Sequence, residues 1–170
     1  MTDNLIYGVN PGTGQIFAIG SDGVAYLAGT FNNTPGYSYY AGDMTPDGSQ
    51  LVVLGASQGR SREIATIDFT NFSTSKQTLT LTSGAPSDVN CAAIAFAPIT
   101  GLLYGYDSQD RRLITIDPTT GIINTSFPQF QGADVLGALF FDAFGELHGY
   151  GTPSGLNIQN TYFDIDKNTG

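Results

Sequence analysis

The chain has 170 residues, enough for one domain with a sizeable core and too few for two ordinary domains. Six Lys and Arg residues against fifteen Asp and Glu residues give a net charge of −9, which opposes binding to nucleic acid or to an anionic lipid surface. Only 12% of the residues are charged and 22 are glycine, a balance typical of short strands joined by tight turns. We therefore expect an all-β protein without a nucleic-acid partner.

The sequence also disfavours a membrane-spanning helix and an intrachain disulfide. No stretch reaches the roughly 18 apolar residues of a membrane-spanning helix, so membrane insertion is not expected. The N-terminus, MTDNLIYG, lacks the basic and apolar regions of a signal peptide, so we expect a soluble protein or one whose export signal has been removed. The single cysteine, Cys91, excludes an intrachain disulfide and lies in an apolar run that favours a small buried residue.

Taken in chain order, four segments resemble one another. Each places Val or Ile before an Asp or Asn, and three of them then reach Thr-Gly: YGVNPGTG at 7–14, ATIDFTN at 65–71, ITIDPTTG at 114–121 and FDIDKNTG at 163–170. The first Asp/Asn interval is 58 residues and the next two are both 49 residues. The chain therefore repeats a unit of about fifty residues.

A second landmark recurs in phase with the first. An apolar stretch leads through a turn at Gly48, Gly101 or Gly145 into another apolar stretch, so each unit contains at least two hairpins. One unit shows four short strands bounded by turn residues, predicted at 92–97, 102–107, 112–117 and 122–127. Four antiparallel strands per unit are typical of a β-propeller blade.

The repeat predicts a single β-propeller domain over residues 1–170. Its expected parts are a partial blade at 1–30, whole blades at 37–82 and 92–127, and a partial blade at 137–170. Propellers close with typically four to eight blades, so about three blades would make an incomplete ring. Open blade edges pair readily with other strands, which makes self-association a further expectation.

The pattern from about residue 36 to 170 resembles a family of propeller-like repeat domains of unassigned function, found in secreted and surface-anchored, adhesin-like bacterial proteins. The resemblance rests on four segments: YYAGDMTPDG (39–48), AIAFAPITGLLYGYD (93–107), LITIDPTTG (113–121) and ALFFDAFGELHGY (138–150). It implies an exported, β-rich module at the surface of a bacterial cell. The family carries no established catalytic residues, so the resemblance implies none here.

Two sequence features could indicate catalysis. GASQG at 55–59 matches the Gly-x-Ser-x-Gly nucleophile elbow, but a predicted strand rather than a helix follows Ser57, so we interpret it as a hairpin turn. His148 is the only histidine, and the repeat aligns it with Tyr104 and Leu54, which indicates a strand position that carries bulk. We therefore predict no catalytic residues and no enzyme.

The segment DIDKNTG spaces Asp164, Asp166 and Asn168 at alternate positions, as short calcium loops do. The other units carry different residues where this one has Asp164: Gly8, Thr66 and Thr115. We therefore predict a turn, with calcium as the alternative and no other cofactor. Several further acidic residues at turns and strand ends have the same two interpretations: Asp43, Asp47, Asp107, Asp110 and Asp142.

Three tyrosines in PGYSYYAGD form a candidate binding patch, since exposed tyrosines stack on sugars and protein partners. Strand alternation would send Tyr37 and Tyr39 to one face of the sheet and Tyr40 to the other. Core packing is the favoured role for at least one of these faces. The partner of such a patch would be a protein or a glycan at a cell surface.

These observations favour a non-enzymatic β-propeller interaction or spacer module of an exported bacterial surface protein. One alternative is a lactonase-like or glycosidase-like propeller hydrolase, which needs acidic or histidine side chains such as Asp43, Asp142 and His148 to converge in one cavity. Another alternative is a self-assembling subunit whose incomplete ring is completed by a second copy.

Overall fold

The computed structural model describes residues 6–130, 132–155 and 161–168. All regular elements in these residues are β-strands, which form four separate sheets. The chain is therefore all-β, as predicted. Within the same residues no helix is long and apolar enough to span a membrane.

The first two sheets are simple antiparallel meanders. The first sheet has three strands in the order β1-β2-β3: Ile6–Val9, Gln15–Ile19 and Ala25–Thr30. The second sheet has four strands in the order β4-β5-β6-β7: Ser38–Met44, Gln50–Ser57, Arg60–Asp68 and Thr74–Thr78. The long central strands of the second sheet, β5 and β6, are rich in β-branched and apolar residues. Successive side chains point to opposite faces, so both faces of these strands are buried.

The third sheet contains the four strands predicted most explicitly. It consists of β9 to β12 in sequential order: Cys91–Phe96, Leu103–Asp107, Arg112–Ile116 and Ile122–Asn124. The last strand is shorter than predicted because the side chain of Asn124 accepts a hydrogen bond from the Ser126 N–H at 3.0 Å and turns the chain away. A short strand that the sequence did not indicate, β8 (Thr80–Leu81), pairs in parallel with β12 at the edge.

The fourth sheet has three strands in the order β13-β14-β15: Ala133–Phe141, Leu147–Pro153 and Thr161–Ile165. The first strands of three successive sheets lie side by side, because β9 contacts both β4 and β13. Consecutive sheets then pack face to face through three apolar clusters, one at each junction between sheets. This arrangement places the first and fourth sheets at the two ends of the row.

The repeated Asp/Asn position is a turn former, as predicted. The Oδ1 atom of Asp117 accepts the N–H groups of Thr119 and Thr120, at 2.8 and 3.3 Å. Asn10 makes the same kind of contact in the first sheet, at 3.1 and 3.2 Å. Both turns return with a glycine of positive φ four residues later, and the corresponding residue of the second sheet, Phe72, also has a φ of 55°. The turn geometry is therefore retained even where glycine is absent.

Candidate functional site

The fourth sheet has one covered and one uncovered face. Cross-strand register places six side chains on the uncovered face, which we call the aromatic face: Ala138, Phe140, His148, Tyr150, Tyr162 and Asp164. Its large side chains are exposed to a degree unusual for a sheet interior, with Phe140 at 42%, Tyr150 at 44% and Tyr162 at 53%. An exposed apolar surface of this kind is typical of an interaction site.

His148 lies at the centre of the aromatic face. Its ring lies 5.3 Å from the ring of Phe140 and 5.2 Å from the ring of Tyr162, and it is stacked on the latter. Its Nδ1 atom lies 2.9 Å from a carboxylate oxygen of Asp164 and 2.6 Å from the Tyr162 hydroxyl, and its Nε2 atom lies 3.6 Å from Asp142. These contacts fix the orientation of the three rings as one platform.

An acidic cavity of about 760 Å³ borders the platform. Asp142 and His148 both line it, together with Glu146, Asp164 and Lys167. Hydrogen bonds from the backbone N–H groups of Glu146 and Phe144 lower the pKa of Asp142. Desolvation, followed by the negative charge of Asp164, raises the pKa of Tyr162. Asp142 is therefore ionised at neutral pH and contributes negative charge to the cavity, and the protonated Tyr162 hydroxyl contacts His148.

The third sheet shows what the same face does when a neighbour covers it. Its equivalent residues are found by register, because Leu103 pairs with Phe96 and Ile116 just as Leu147 pairs with Phe141 and Ile165. The equivalent side chains are Ala93, Ala95, Tyr104, Tyr106, Leu113 and Thr115. Most of them are packed in one apolar cluster with the covered side of the fourth sheet. The aromatic face therefore corresponds to an inter-sheet contact surface that no sheet of the described residues covers.

The predicted tyrosine patch is not one exposed surface. Tyr39 is only 2% exposed, and its hydroxyl donates to Glu63 while accepting the Thr34 N–H at 3.2 Å. Tyr37 packs half-buried on the same cluster, whereas Tyr40 is 40% exposed. The expected alternation is present, but it sends two of the three tyrosines into the contact between the first and second sheets.

Asp164 and Asp166, two of the calcium candidates, have different structural roles. Asp164 extends from β15 toward His148, whereas Asp166 begins the following turn and accepts the Asn168 N–H at 2.8 Å. No group of three or more His, Cys, Asp or Glu side chains within the described residues is arranged to hold a metal ion. The remainder of the predicted loop, residues 169–170, lies outside the described residues. The geometry of Asp166 supports the turn interpretation.

The other acidic candidates have local structural roles. Asp43 accepts the Phe96 N–H at 2.7 Å, and burial raises its pKa. Asp47 bonds with Thr45 and Ser49, and these hydrogen bonds lower its pKa to about 2. Two further carboxylates also make local contacts. Asp107 accepts the N–H groups of Asn90 and Gln109, and Asp110 forms an ion pair with Arg112 at 2.7 Å. Of the three side chains proposed to converge, only Asp142 and His148 share a cavity.

The two remaining motifs have structural explanations. Ser57 ends β5 and is followed by a two-residue hairpin loop, in which Gln58 and Gly59 have φ angles of 54° and 72°. Positive φ at both loop positions is typical of a tight β-hairpin turn, as predicted for GASQG. Cys91 is fully buried, and burial raises the pKa of its thiol to about 12. The buried Cys91 thiol is therefore unreactive, and Ser57 lacks the following helix that a nucleophile elbow requires.

Sequence reasoning missed Phe140, Tyr150 and Tyr162 as site residues. Aromatic residues at alternate strand positions predict a packed core, and strand alternation alone does not distinguish these exposed positions from their buried equivalents. The repeat alone indicates a contact role for this face, because Tyr150 and Tyr162 align with Tyr106 and Leu113 of the preceding unit. A face that is apolar in the last repeat has no following repeat within the described residues to cover it.

The row of small, mainly antiparallel sheets of three to five strands defines the class of protein as a propeller-like β-repeat. The chain belongs to the DUF6923 family, described as a repeat of unknown function, whose sequence model matches residues 1–161. The resemblance to a propeller-like family of unassigned function is thereby confirmed. No curated protein sequence matches the chain.

Solved structures with the same fold have diverse roles. A chain of a nidogen/laminin complex superposes with a TM-score of 0.60 at 14% identity, covering 86% of this chain and 52% of that one. The calcium-binding protein regucalcin from Agrobacterium tumefaciens gives 0.56 at 18% identity, covering 97% and 57%. Glutaminyl cyclase from Myxococcus xanthus gives 0.54 at 14% identity, covering 95% and 70%.

These neighbours show the fold alone because their identities are low. They include an enzyme and proteins named for binding, so the fold is compatible with either kind of function. The chain spans about half the length of the nidogen/laminin chain and of regucalcin.

Proposed function

We propose that this chain is a non-enzymatic interaction module of an exported bacterial surface protein, and that it binds through the aromatic face of its fourth sheet. The observation that carries the proposal is the exposure of Phe140, Tyr150 and Tyr162 at positions whose equivalents in the third sheet are buried contact residues. Rigid aromatic side chains supply contact area at a low cost in conformational entropy, so they are favoured at binding surfaces.

Display of the full chain on a non-adherent bacterial cell tests this proposal. Cells that carry the chain should aggregate or adhere to protein-coated and glycan-coated surfaces, and the double substitution Phe140→Ser with Tyr162→Ser should abolish this gain. Phe144→Ser is the matched control, because Phe144 is 84% exposed but lies in the turn outside the aromatic face. Equal adhesion with and without the double substitution would contradict the proposal.

A hydrolase is the second candidate function, because Asp142, His148 and Asp164 border one cavity. The geometry favours it less than binding. Asp142 already accepts two backbone N–H groups, and its lowered pKa makes it a poor proton donor at neutral pH. Both ring nitrogens of His148 already have partners, because Nδ1 contacts Asp164 and Tyr162 and Nε2, the atom that would act as the base, lies 3.6 Å from the Asp142 carboxylate.

Activity assays separate the two candidates. We expect no turnover of lactone, ester or glycoside substrates by the purified chain. Turnover that disappears in His148→Gln, with the circular dichroism spectrum unchanged, would instead establish the hydrolase.

A further inference from the structure

The aromatic face ends in three carboxylates, which we call its acidic end. Asp142 lies two residues after Phe140 and Glu146 lies two residues before His148, and both line the acidic cavity together with Asp164. Side chains two positions apart along a strand share a face, so the acidic end belongs to the same surface as the exposed rings. Glu146 is exposed, and the side chain of Asp164 is 83% exposed.

The equivalent positions of the second and third sheets are neutral. The backbone hydrogen bond that closes each hairpin identifies two of them: Asp142 to Glu146 in the fourth sheet, Ala97 to Leu102 in the third and Thr45 to Gln50 in the second. Cross-strand register makes Thr115 and Thr66 the equivalents of Asp164. In the second and third sheets the next sheet covers this face through an apolar cluster. Among these three sheets, charge at these positions therefore accompanies the uncovered face.

The chain itself leaves the acidic end short of positive charge. Apart from the contacts of His148 already described, no lysine or arginine of the described residues forms an ion pair with it. Lys167 lines the cavity, but its Nζ atom donates to the Gly145 carbonyl and lies 5.8 Å from the centre of the Phe141 ring. A partner that covered this end would have to supply positive charge, because an unpaired carboxylate is costly to remove from water.

The junction between the third and fourth sheets already places a cation at the corresponding end. Lys167 follows β15 and lines a cavity of about 210 Å³ together with Ala97 and Tyr104 of the third sheet. The fourth sheet therefore brings a lysine to the end of the face that it covers. A protein that packed on the aromatic face in the same manner would bring its own residue at that place to the acidic end.

We propose that the aromatic face binds a partner protein through an apolar surface flanked by lysine or arginine, whose cationic groups lie against the acidic end. The inference rests on the proposed function of the aromatic face and identifies the chemistry of its partner. Cationic groups also bind the faces of aromatic rings, so Phe140 and Tyr162 beside the carboxylates suit the same ligand. The net charge of −9 favours a basic partner and disfavours a second copy of this chain.

Fluorescence anisotropy with a designed peptide tests the inference on the purified full chain. The labelled peptide has nine residues, with leucine at the second and fourth positions, arginine at the sixth and eighth, and serine elsewhere. An extended chain presents these four large side chains on one side. We expect saturable binding at low ionic strength that weakens with added salt, because the Debye length falls to about 8 Å at 0.15 M. Glutamine in place of arginine should weaken binding about fivefold.

Neutralising the acidic end should have a similar effect. Glu146→Gln combined with Asp164→Asn should weaken binding of the arginine peptide about fivefold. Asp22→Asn combined with Asp88→Asn is the matched control, because it changes the net charge equally at two exposed positions outside the fourth sheet, and it should bind like the unmodified chain. Equal weakening in both double variants would show that net charge alone attracts the peptide, and would overturn the inference.

Charge reversal provides a test by gain of binding. Glu146→Lys should bind a peptide with glutamate in place of arginine more tightly than the unmodified chain does. Thermal unfolding of each variant checks that the fold is retained. Two results would overturn the inference: no saturable binding of the arginine peptide at low ionic strength, or equally tight binding of the glutamine peptide.

The proposed function is judged separately by the displayed chain. Adhesion that depends on Phe140 and Tyr162, but persists at high salt and in the Glu146→Gln and Asp164→Asn double variant, would mean that the aromatic face binds a neutral partner such as a glycan. That outcome would support the proposed function and overturn the inference of a basic partner.

Discussion

The third and fourth sheets present the same face in two different environments. In the third sheet, Tyr106 and Leu113 are fully buried by the fourth sheet, whereas their equivalents Tyr150 and Tyr162 are 44% and 53% exposed. The strand periodicity and register are the same in both. The comparison teaches that a repeat specifies a contact face in each unit, while burial of that face depends on whether a neighbour is present.

Substitution of the equivalent residues Tyr106 and Tyr150 should give the largest difference in stability between the third and fourth sheets. Tyr106→Ala should reduce the free energy of unfolding by about 3–5 kcal/mol, because it empties a buried aromatic site. Tyr150→Ala should change it by less than about 1 kcal/mol, because that side chain is half exposed. Urea unfolding measures both values. Equal losses would show that the aromatic face is covered within a single chain.

Two turn glycines test the same pair of sheets. Gly121 has a φ of 75°, and an added Cβ atom would lie 2.5 Å from the carbonyl oxygen of Thr78. Gly145 has a φ of 81°, but its Cβ atom would meet only the end of the Ile99 side chain, at 3.0 Å. We expect Gly121→Ala to cost more than about 2 kcal/mol and Gly145→Ala about 1 kcal/mol, since the first adds a backbone clash to the cost of positive φ. Thermal unfolding in the same buffer ranks the two, and the reverse order would contradict this account.

A smaller effect concerns the hydroxyl of Tyr106, which donates to the Ala133 carbonyl at 2.9 Å across the sheet contact. Tyr106→Phe should reduce the free energy of unfolding by about 1 kcal/mol, because the buried carbonyl loses its partner. Tyr150→Phe should change it by less than about 0.5 kcal/mol, as is usual for surface positions. Urea titrations of the two variants measure the difference. An unchanged stability in Tyr106→Phe would show that the hydroxyl makes no net contribution.

The smallest expected effects are those of pH on the turn carboxylates. Hydrogen bonds from Thr120 and Thr119 lower the pKa of Asp117 in the third sheet, as backbone N–H groups lower that of Asp142 in the fourth. A folded-state pKa below the unfolded value stabilises the fold above the unfolded pKa, of about 4, and this contribution is lost as the pH falls through the folded pKa. Acidification should therefore lower the urea midpoint.

Asparagine substitutions test this contribution. Asn10 shows that an amide oxygen accepts the same turn N–H groups without titrating. Asp117→Asn and Asp142→Asn should therefore flatten the dependence of the urea midpoint on pH below about pH 4. Parallel curves for the variants and the unmodified chain would show that these carboxylates are not linked to stability.

Much of the fold was predictable because its signals are local. The Asp/Asn turn formers, the glycines with positive φ and the alternating strands can each be recognised within a few residues. The structure has the predicted turns at Asn10 and Asp117, and Gly121 has the positive φ. The pairing of β8 with β12 was not predictable, because two residues carry no periodicity and the partner lies about forty residues away.

The candidate site was only partly predictable. Asp142 and His148 are two of the three side chains that the hydrolase interpretation requires in one cavity, and both line the same cavity. The tyrosine cluster of PGYSYYAGD predicts a candidate binding patch, with core packing favoured for at least one face, and Tyr39 is buried because its strand faces the first sheet. Exposure of an aromatic side chain depends on the next sheet, which local sequence does not describe.

The sequence by itself determined the all-β class, the repeat of about fifty residues and the turn chemistry, because these depend on backbone conformation and on side chains close in the chain. Only the tertiary structure decided which apolar faces are covered. Face-to-face packing joins residues from different repeats, so equivalent strand positions form a buried contact in the third sheet and an open aromatic face in the fourth.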